Sequence, residues 1–344
     1  MKMPINFYYH SHINYLLLRA LCFGLRKYID IIYFKGPIQL FIMFLGQSFA
    51  IFIYLYQKFI LLKSKKKFKY FKPEEIKNYK IIFKINLMIF ICSFCDLIGC
   101  YNFQIFNNKL KNLQNTFNMI FLCIFIALNE HIYLNIPTYN YHILGYGLFF
   151  ASILIDLILN IKNFTKSLFF LLIISLESQY IESLFYIMEK KLNYIYYIKI
   201  SLICFLEGVF GMIIFLVYFL FTGNILNIIP KGVNVFILLL YCVLTCIANL
   251  CRLRVTEISR PSYNMIGKII CSLLMSIVSS IFDNENQKYK WESSNILIMS
   301  ISLLSAFIFV EMITFNFCNL NKNITNNIIN RGIRETQLLE KNRD

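Results

Sequence analysis

Charged side chains are scarce in this chain. Asp, Glu, Lys and Arg make up 15% of its 344 residues, where soluble domains carry about 25%. That is too little charge to keep a chain of this length in water. Histidine is as sparse: His10, His12, His131 and His142 stand at no metal-ligand spacing and form no His-acid motif of the acyltransferase kind, which argues against a metal centre or histidine acid–base chemistry. No glycine-rich loop followed by Lys and Ser or Thr is present, so nucleotide hydrolysis has no phosphate cradle. No cofactor is expected, and an enzyme is the weaker reading. Long polar stretches are missing too, apart from residues 63–80 and the tail after residue 318, which leaves no room for a separate soluble domain.

Apolar residues take the place of charge. They form 58% of the chain, and the mean hydropathy is +0.61. A helix needs roughly 20 mostly apolar residues to cross a hydrocarbon core about 30 Å thick. Ten runs approach that length, at about 12–33, 36–62, 81–106, 113–128, 140–161, 167–187, 200–222, 233–255, 262–282 and 294–318. They are continuous and do not alternate every second residue, so they read as helices and not as barrel strands. The expected fold class is an all-α integral membrane protein of about ten transmembrane helices. Two runs fit least well: the first carries Arg19, Arg26, Lys27 and Asp30, and the fourth opens on Gln114, Asn115, Thr116 and Asn118.

The net charge of +16 would suggest nucleic acid in a soluble protein. Here it is concentrated in one lysine-rich loop, Lys63 to Lys80, and serves as a topology signal that favours cytosolic termini. All eleven cysteines fall inside the apolar runs, so they build no extracellular disulfide framework. The redox-like spacing of Cys92 and Cys95 reads as packing in an apolar helix. The first apolar stretch lacks a small-residue cleavage site and reads as a signal anchor.

An internal repeat is suggested by Phe44-Leu45-Gly46-Gln47-Ser48-Phe49-Ala50 in the second run and Phe205-Leu206-Glu207-Gly208-Val209-Phe210-Gly211 in the seventh. Five helices per unit, an odd number, would invert the second copy relative to the first. The expected organisation is a 5+5 inverted repeat, with halves at 1–161 and 162–318 and a disordered cytosolic tail at 319–344. In that tail, Glu335-Thr336-Gln337-Leu338-Leu339 is one residue short of an acidic dileucine sorting signal.

A charge at mid-bilayer costs at least about 2.5–3.5 kcal/mol, so ionisable residues there are expected to meet a partner or a cavity. Lys84, Asp96, Asp156, Glu177, Glu182, Glu207, Arg252, Lys268 and Glu311 all lie within the runs. Lys84 and Asp156 sit nearer helix ends, where they can snorkel to the headgroups. Ser175, Gln179, Glu182 and Tyr186 share one helix face, as do Thr245, Asn249, Arg252 and Thr256, while Asn264, Lys268 and Cys271 add a third polar stripe. Such stripes either hold a bundle together through interhelical bonds or line a pathway.

Several of these positions fall in an ordered series of motifs. Met43-Phe44-Leu45-Gly46, Cys95-Asp96-Leu97-Ile98-Gly99, Leu113-Gln114, Glu189-Lys190 and Glu207-Gly208-Val209-Phe210-Gly211, followed by Asn249, Val255, Thr256 and Met265, resemble signatures of the drug/metabolite transporter superfamily, most closely the F-type branch of solute carrier family 35. The resemblance departs from the family where the family carries charge. Gln47 replaces an acid, Phe117 replaces an Arg, and Asn264 and Lys268 stand at an Arg and an Asp.

The resemblance implies a secondary transporter that moves a small organic solute or metabolite by alternating access, driven by a solute or proton gradient. Asp96, Gln114, Glu177, Gln179, Glu182, Glu207, Asn249, Arg252, Asn264 and Lys268 would line its substrate or proton pathway. The expected partners are membrane lipids and the solute, with no nucleic acid, in a monomer or homodimer. The expected address is an internal membrane, endomembrane or organellar, with both termini cytosolic. A non-transporting scaffold or chaperone is the rival, argued from the missing family charges.

Overall fold

The computed structural model describes residues 5–33, 38–63, 79–109, 113–135, 140–160, 166–196, 198–222, 234–282 and 293–310. The calls on the lysine-rich loop, Glu311 and the tail therefore lie outside the described residues, as does the side chain of Gln114. The described residues are helical throughout, with no strand among them. In chain order the helices are α1 (Ile5–Tyr33), α2 (Ile38–Ser48), α3 (Ala50–Lys63), α4 (Tyr79–Lys109), α5 (Leu113–Leu134), α6 (Asn140–Asn160), α7 (Lys166–Ile195), α8 (Ile200–Thr222), α9 (Val235–Ile258), α10 (Tyr263–Phe282) and α11 (Ser293–Phe309). Over the described residues each apolar run is thus helical, including the polar start of the fourth.

The second run is divided, which hydropathy does not reveal. At Phe49 the amide bonds back only three residues, to the Gly46 carbonyl at 3.2 Å, and the Ser48 hydroxyl donates to the Leu45 carbonyl at 2.6 Å. Hydroxyl back-bonding of this kind bends helices. The break lies where α8 crosses. A Cβ at Gly208 would come within 2.5 Å of the Ser48 amide nitrogen and 2.7 Å of the Phe44 carbonyl oxygen, so only glycine lets the two backbones approach this closely.

Four helical stretches are long and apolar enough to cross a membrane: Ile38–Ile60, taken through the break, Tyr79–Cys100, Ile200–Phe221 and Val235–Ile258. Burial is inverted relative to a soluble protein. Phe52, Phe83 and Phe221 are 66%, 69% and 87% exposed, whereas Arg19, Asp96, Glu189, Glu207 and Arg252 are at most 8% exposed. α1 shows the inversion within one helix: Leu17, Leu18, Leu21 and Leu25 face outward while Arg19 and Arg26 face inward. Water would penalise that apolar surface and lipid does not. The protein is membrane-embedded.

Within the bundle α1 packs on α9 and α10, and α7 packs on α4 and α5. α2 crosses α8 and also touches α9, α4 touches α8, and α6 lies along α11. The link between α9 and α10 is tied down from two other helices. Lys190 Nζ donates to the carbonyls of Thr256, Glu257 and Ser259 at 2.9, 3.3 and 2.6 Å, a cation on the carbonyls that end α9. Glu130 of α5 accepts the Ser262 amide at 2.5 Å.

Candidate functional site

The polar stripes of the sequence converge in this frame. On α7, Gln179, Glu182, Tyr186 and Glu189 recur at spacings of three, four and three, so they share one face. Arg252 of α9 meets that face. Its Nη2 lies 2.7 Å from Glu189 Oε1 and 3.3 Å from Glu207 Oε2 on α8. Its guanidinium carbon sits 4.4 Å from the Phe185 ring centroid, a cation–π contact on the third side. The triad is sealed, with side-chain exposures of 6% for Arg252, 0% for Glu189 and 1% for Glu207.

The triad is flanked by α4 and α2. Ser93 donates to the Glu207 carbonyl at 3.1 Å, which fixes α4 against α8. One turn further along α4, Asp96 accepts from Gln47 Nε2 at 3.2 Å and from the Cys100 thiol at 3.6 Å. Gln47 has its own carbonyl bonded by Cys204 at 3.7 Å. Its neutral amide therefore serves as a donor to an acid on another helix.

A second cluster lies towards α1 and α10. Arg19 Nη1 donates to Asn264 Oδ1 at 2.5 Å, and its Nη2 donates to the Tyr186 hydroxyl at 3.3 Å. Asn264 Nδ2 in turn donates to Thr256 Oγ1 at 2.8 Å. Lys268 pairs with Glu182 and holds its ammonium 5.7 Å from the Tyr186 ring centroid. This pair is partly open, with side-chain exposures of 23% and 16%.

Compared with known proteins, the chain matches no family model and no curated protein. The site is therefore read from its chemistry. It offers no metal centre, since among the described residues no group of three or more His, Cys, Asp or Glu could hold a metal ion. It offers cations and anions in fixed pairs, with aromatic faces beside the cations.

Of the residues expected to line a pathway, Asp96, Glu207, Arg252, Asn264, Lys268 and Glu182 come together in these two clusters. Gln179 is buried on the same α7 face, and Asn249 is buried but bonds its own helix, donating to Thr245 O at 3.0 Å. Glu177 is exposed. It lies two residues, about 200° of helical turn, from both Ser175 and Gln179, so it points away from their face. Asp156, expected to snorkel, is buried on the α6 stripe with Phe149, Ser152 and Ile153, whereas Lys84 is exposed. Cys92 and Cys95 are free thiols, 0% and 8% exposed, as a packing role requires.

The participants that were not among the expected pathway residues include Arg19, Gln47 and Glu189. Glu189 was legible by spacing, since it stands seven residues after Glu182 and so completes two turns on the same face. Arg19 was counted against its helix as a spanning segment, when its burial is what places α1 in the bundle.

Proposed function

We propose that this protein is a secondary transporter of the drug/metabolite type, carrying a small organic solute or metabolite across a membrane by alternating access. The observation that carries the reading is the convergence of Arg19, Asp96, Glu182, Glu189, Glu207, Arg252 and Lys268, from six helices, in the interior of an apolar bundle. Burying so many ionisable groups is costly. A binding site for a polar solute gives them a purpose.

The same proposal has ten spanning helices in two inverted halves, 1–161 and 162–318. Helix contacts support it, with α2 and α3 taken as one. Advancing each partner by five helices turns the packing of α1 on α9 and α10 into that of α7 on α4 and α5, and the α2–α9 contact into the α8–α4 contact. Under that relation α2 pairs with its own counterpart α8, and these carry the two similar motifs. Cytosolic termini, on the strength of the lysine-rich loop, and an internal membrane, on that of the near-dileucine stretch at 335–339, complete the proposal.

The test begins with purified full-length protein melted in the presence of a metabolite panel. At least one solute is expected to raise the melting temperature, to be taken up into proteoliposomes, and to lose uptake in Asp96→Asn, which keeps a polar partner for Gln47. A panel without a stabilising solute would leave the scaffold reading in possession.

A further inference from the structure

The Arg252 triad contains an arrangement that salt bridging alone does not explain. Glu189 and Glu207 share one guanidinium nitrogen, at 2.7 and 3.3 Å, which brings both carboxyl groups to the same point. Glu189 Oε2 and Glu207 Oε1 are buried with no hydrogen-bond donor. Two carboxylates side by side have acceptors only, and they repel each other in an interior that screens charge poorly. A single proton between them changes the chemistry, giving one O–H donor, one charged acceptor and a charge-assisted bond.

The surroundings require the same proton. The ionisable groups that face the pair are Arg252 from α9, Arg19 from α1, Asp96 and Cys92 from α4, Cys204 from α8 and Tyr186 from α7. The thiols and the phenol are neutral at neutral pH, which leaves two guanidinium cations against three carboxylates. The nearby Lys268 and Glu182 cancel each other. One added proton makes the buried cluster neutral.

We infer that Glu189 and Glu207 form a proton-binding site that holds one proton between them, clamped by Arg252. That this proton drives solute movement rests on the transporter proposal, but its presence does not. When the site releases the proton, the cluster gains a net negative charge, which favours rearrangement around Arg252 or entry of a cation.

Infrared spectroscopy of purified full-length protein at neutral pH reads the proton directly. A carbonyl stretch of a protonated carboxyl group is expected, shifting in D2O. It should be lost in Glu189→Gln and in Glu207→Gln, each of which leaves Arg252 one carboxylate. It should remain in Glu130→Gln, Glu182→Gln and Asp156→Asn, so that elimination among the buried acids still assigns it if a variant of the pair does not fold. No such band in the wild type would overturn the site, as would a band that survives both variants of the pair or disappears in Glu130→Gln. An alkali cation in place of the proton would give no band and a sodium-dependent melting shift, which also overturns it. A band without any transported solute would sink the transporter proposal and leave the proton site standing.

Discussion

Two ionic clusters lie along the same face of α7 and differ in their exposure. The Arg252 triad is sealed by Phe185 and by the α2–α8 crossing, and its side chains are 6% exposed or less. The Lys268–Glu182 pair, whose Glu182 stands two turns before Glu189 on the same α7 face, is more open, with side chains 23% and 16% exposed. Sealing turns an ion pair into an obligation, because a buried charge deprived of its partner finds no water to replace it. The open pair has a choice. Its ammonium and carboxylate can exchange each other for a solute at small cost. Under the transporter proposal, the contrast gives the triad the work of holding the bundle and its proton, and the pair the work of meeting what enters.

The largest expected effect breaks the triad. Arg252→Ala leaves two carboxyl groups buried without a cation, and the expected loss is about 3–5 kcal/mol, which a marginally stable protein does not survive. The measurement is the monodisperse fraction after detergent extraction, expected to collapse. A variant that purifies and melts like the wild type would erase the distinction between the clusters.

A smaller effect tests how the triad is sealed. Gly208 follows Glu207 directly, and a Cβ there meets backbone atoms of α2 at 2.5 and 2.7 Å, which no rotamer can relieve. Gly208→Ala is expected to cost about 1–3 kcal/mol and to lower the melting temperature. Gly24 of α1 has nothing within 4 Å of the same added atom, so Gly24→Ala should be neutral or stabilising by up to about 1 kcal/mol. Opposite signs in paired melts would locate the seal at the α2–α8 crossing. Equal effects would remove it.

These residues also mark how far the sequence could be read. Apolar runs located every described helix, because a backbone in an apolar surrounding must satisfy its own hydrogen bonds. Periodicity placed Gln179, Glu182 and Tyr186 on an inward face, and the same rule excludes Glu177 from it. What could not be read is pairing across helices. Nothing in the local sequence says that Arg252 bridges Glu189 and Glu207, which lie 63 and 45 residues away in the chain, or that Arg19 reaches Asn264. The break at Phe49 was hidden for a related reason: hydropathy is unchanged across it, and its cause includes Gly208 on another helix.

The smallest effect on stability is expected at the open pair, and there the contrast is sharpest. Lys268→Met and Glu182→Gln should each change stability by no more than about 1 kcal/mol, since the partner left behind is partly solvated. Either variant should nevertheless abolish uptake of a solute identified in the metabolite screen, because the site has lost one of the two charges that can recognise it. The exchange Lys268→Glu with Glu182→Lys separates the two roles. It restores the ion pair and so should restore the melting temperature, but it places the ammonium on α7 and the carboxylate on α10, which reverses the order of charge that a solute would meet. Uptake should stay low. Full recovery of uptake in the exchange variant would show that the pair acts only as a tie between α7 and α10, and the division of labour between the clusters would fall with it.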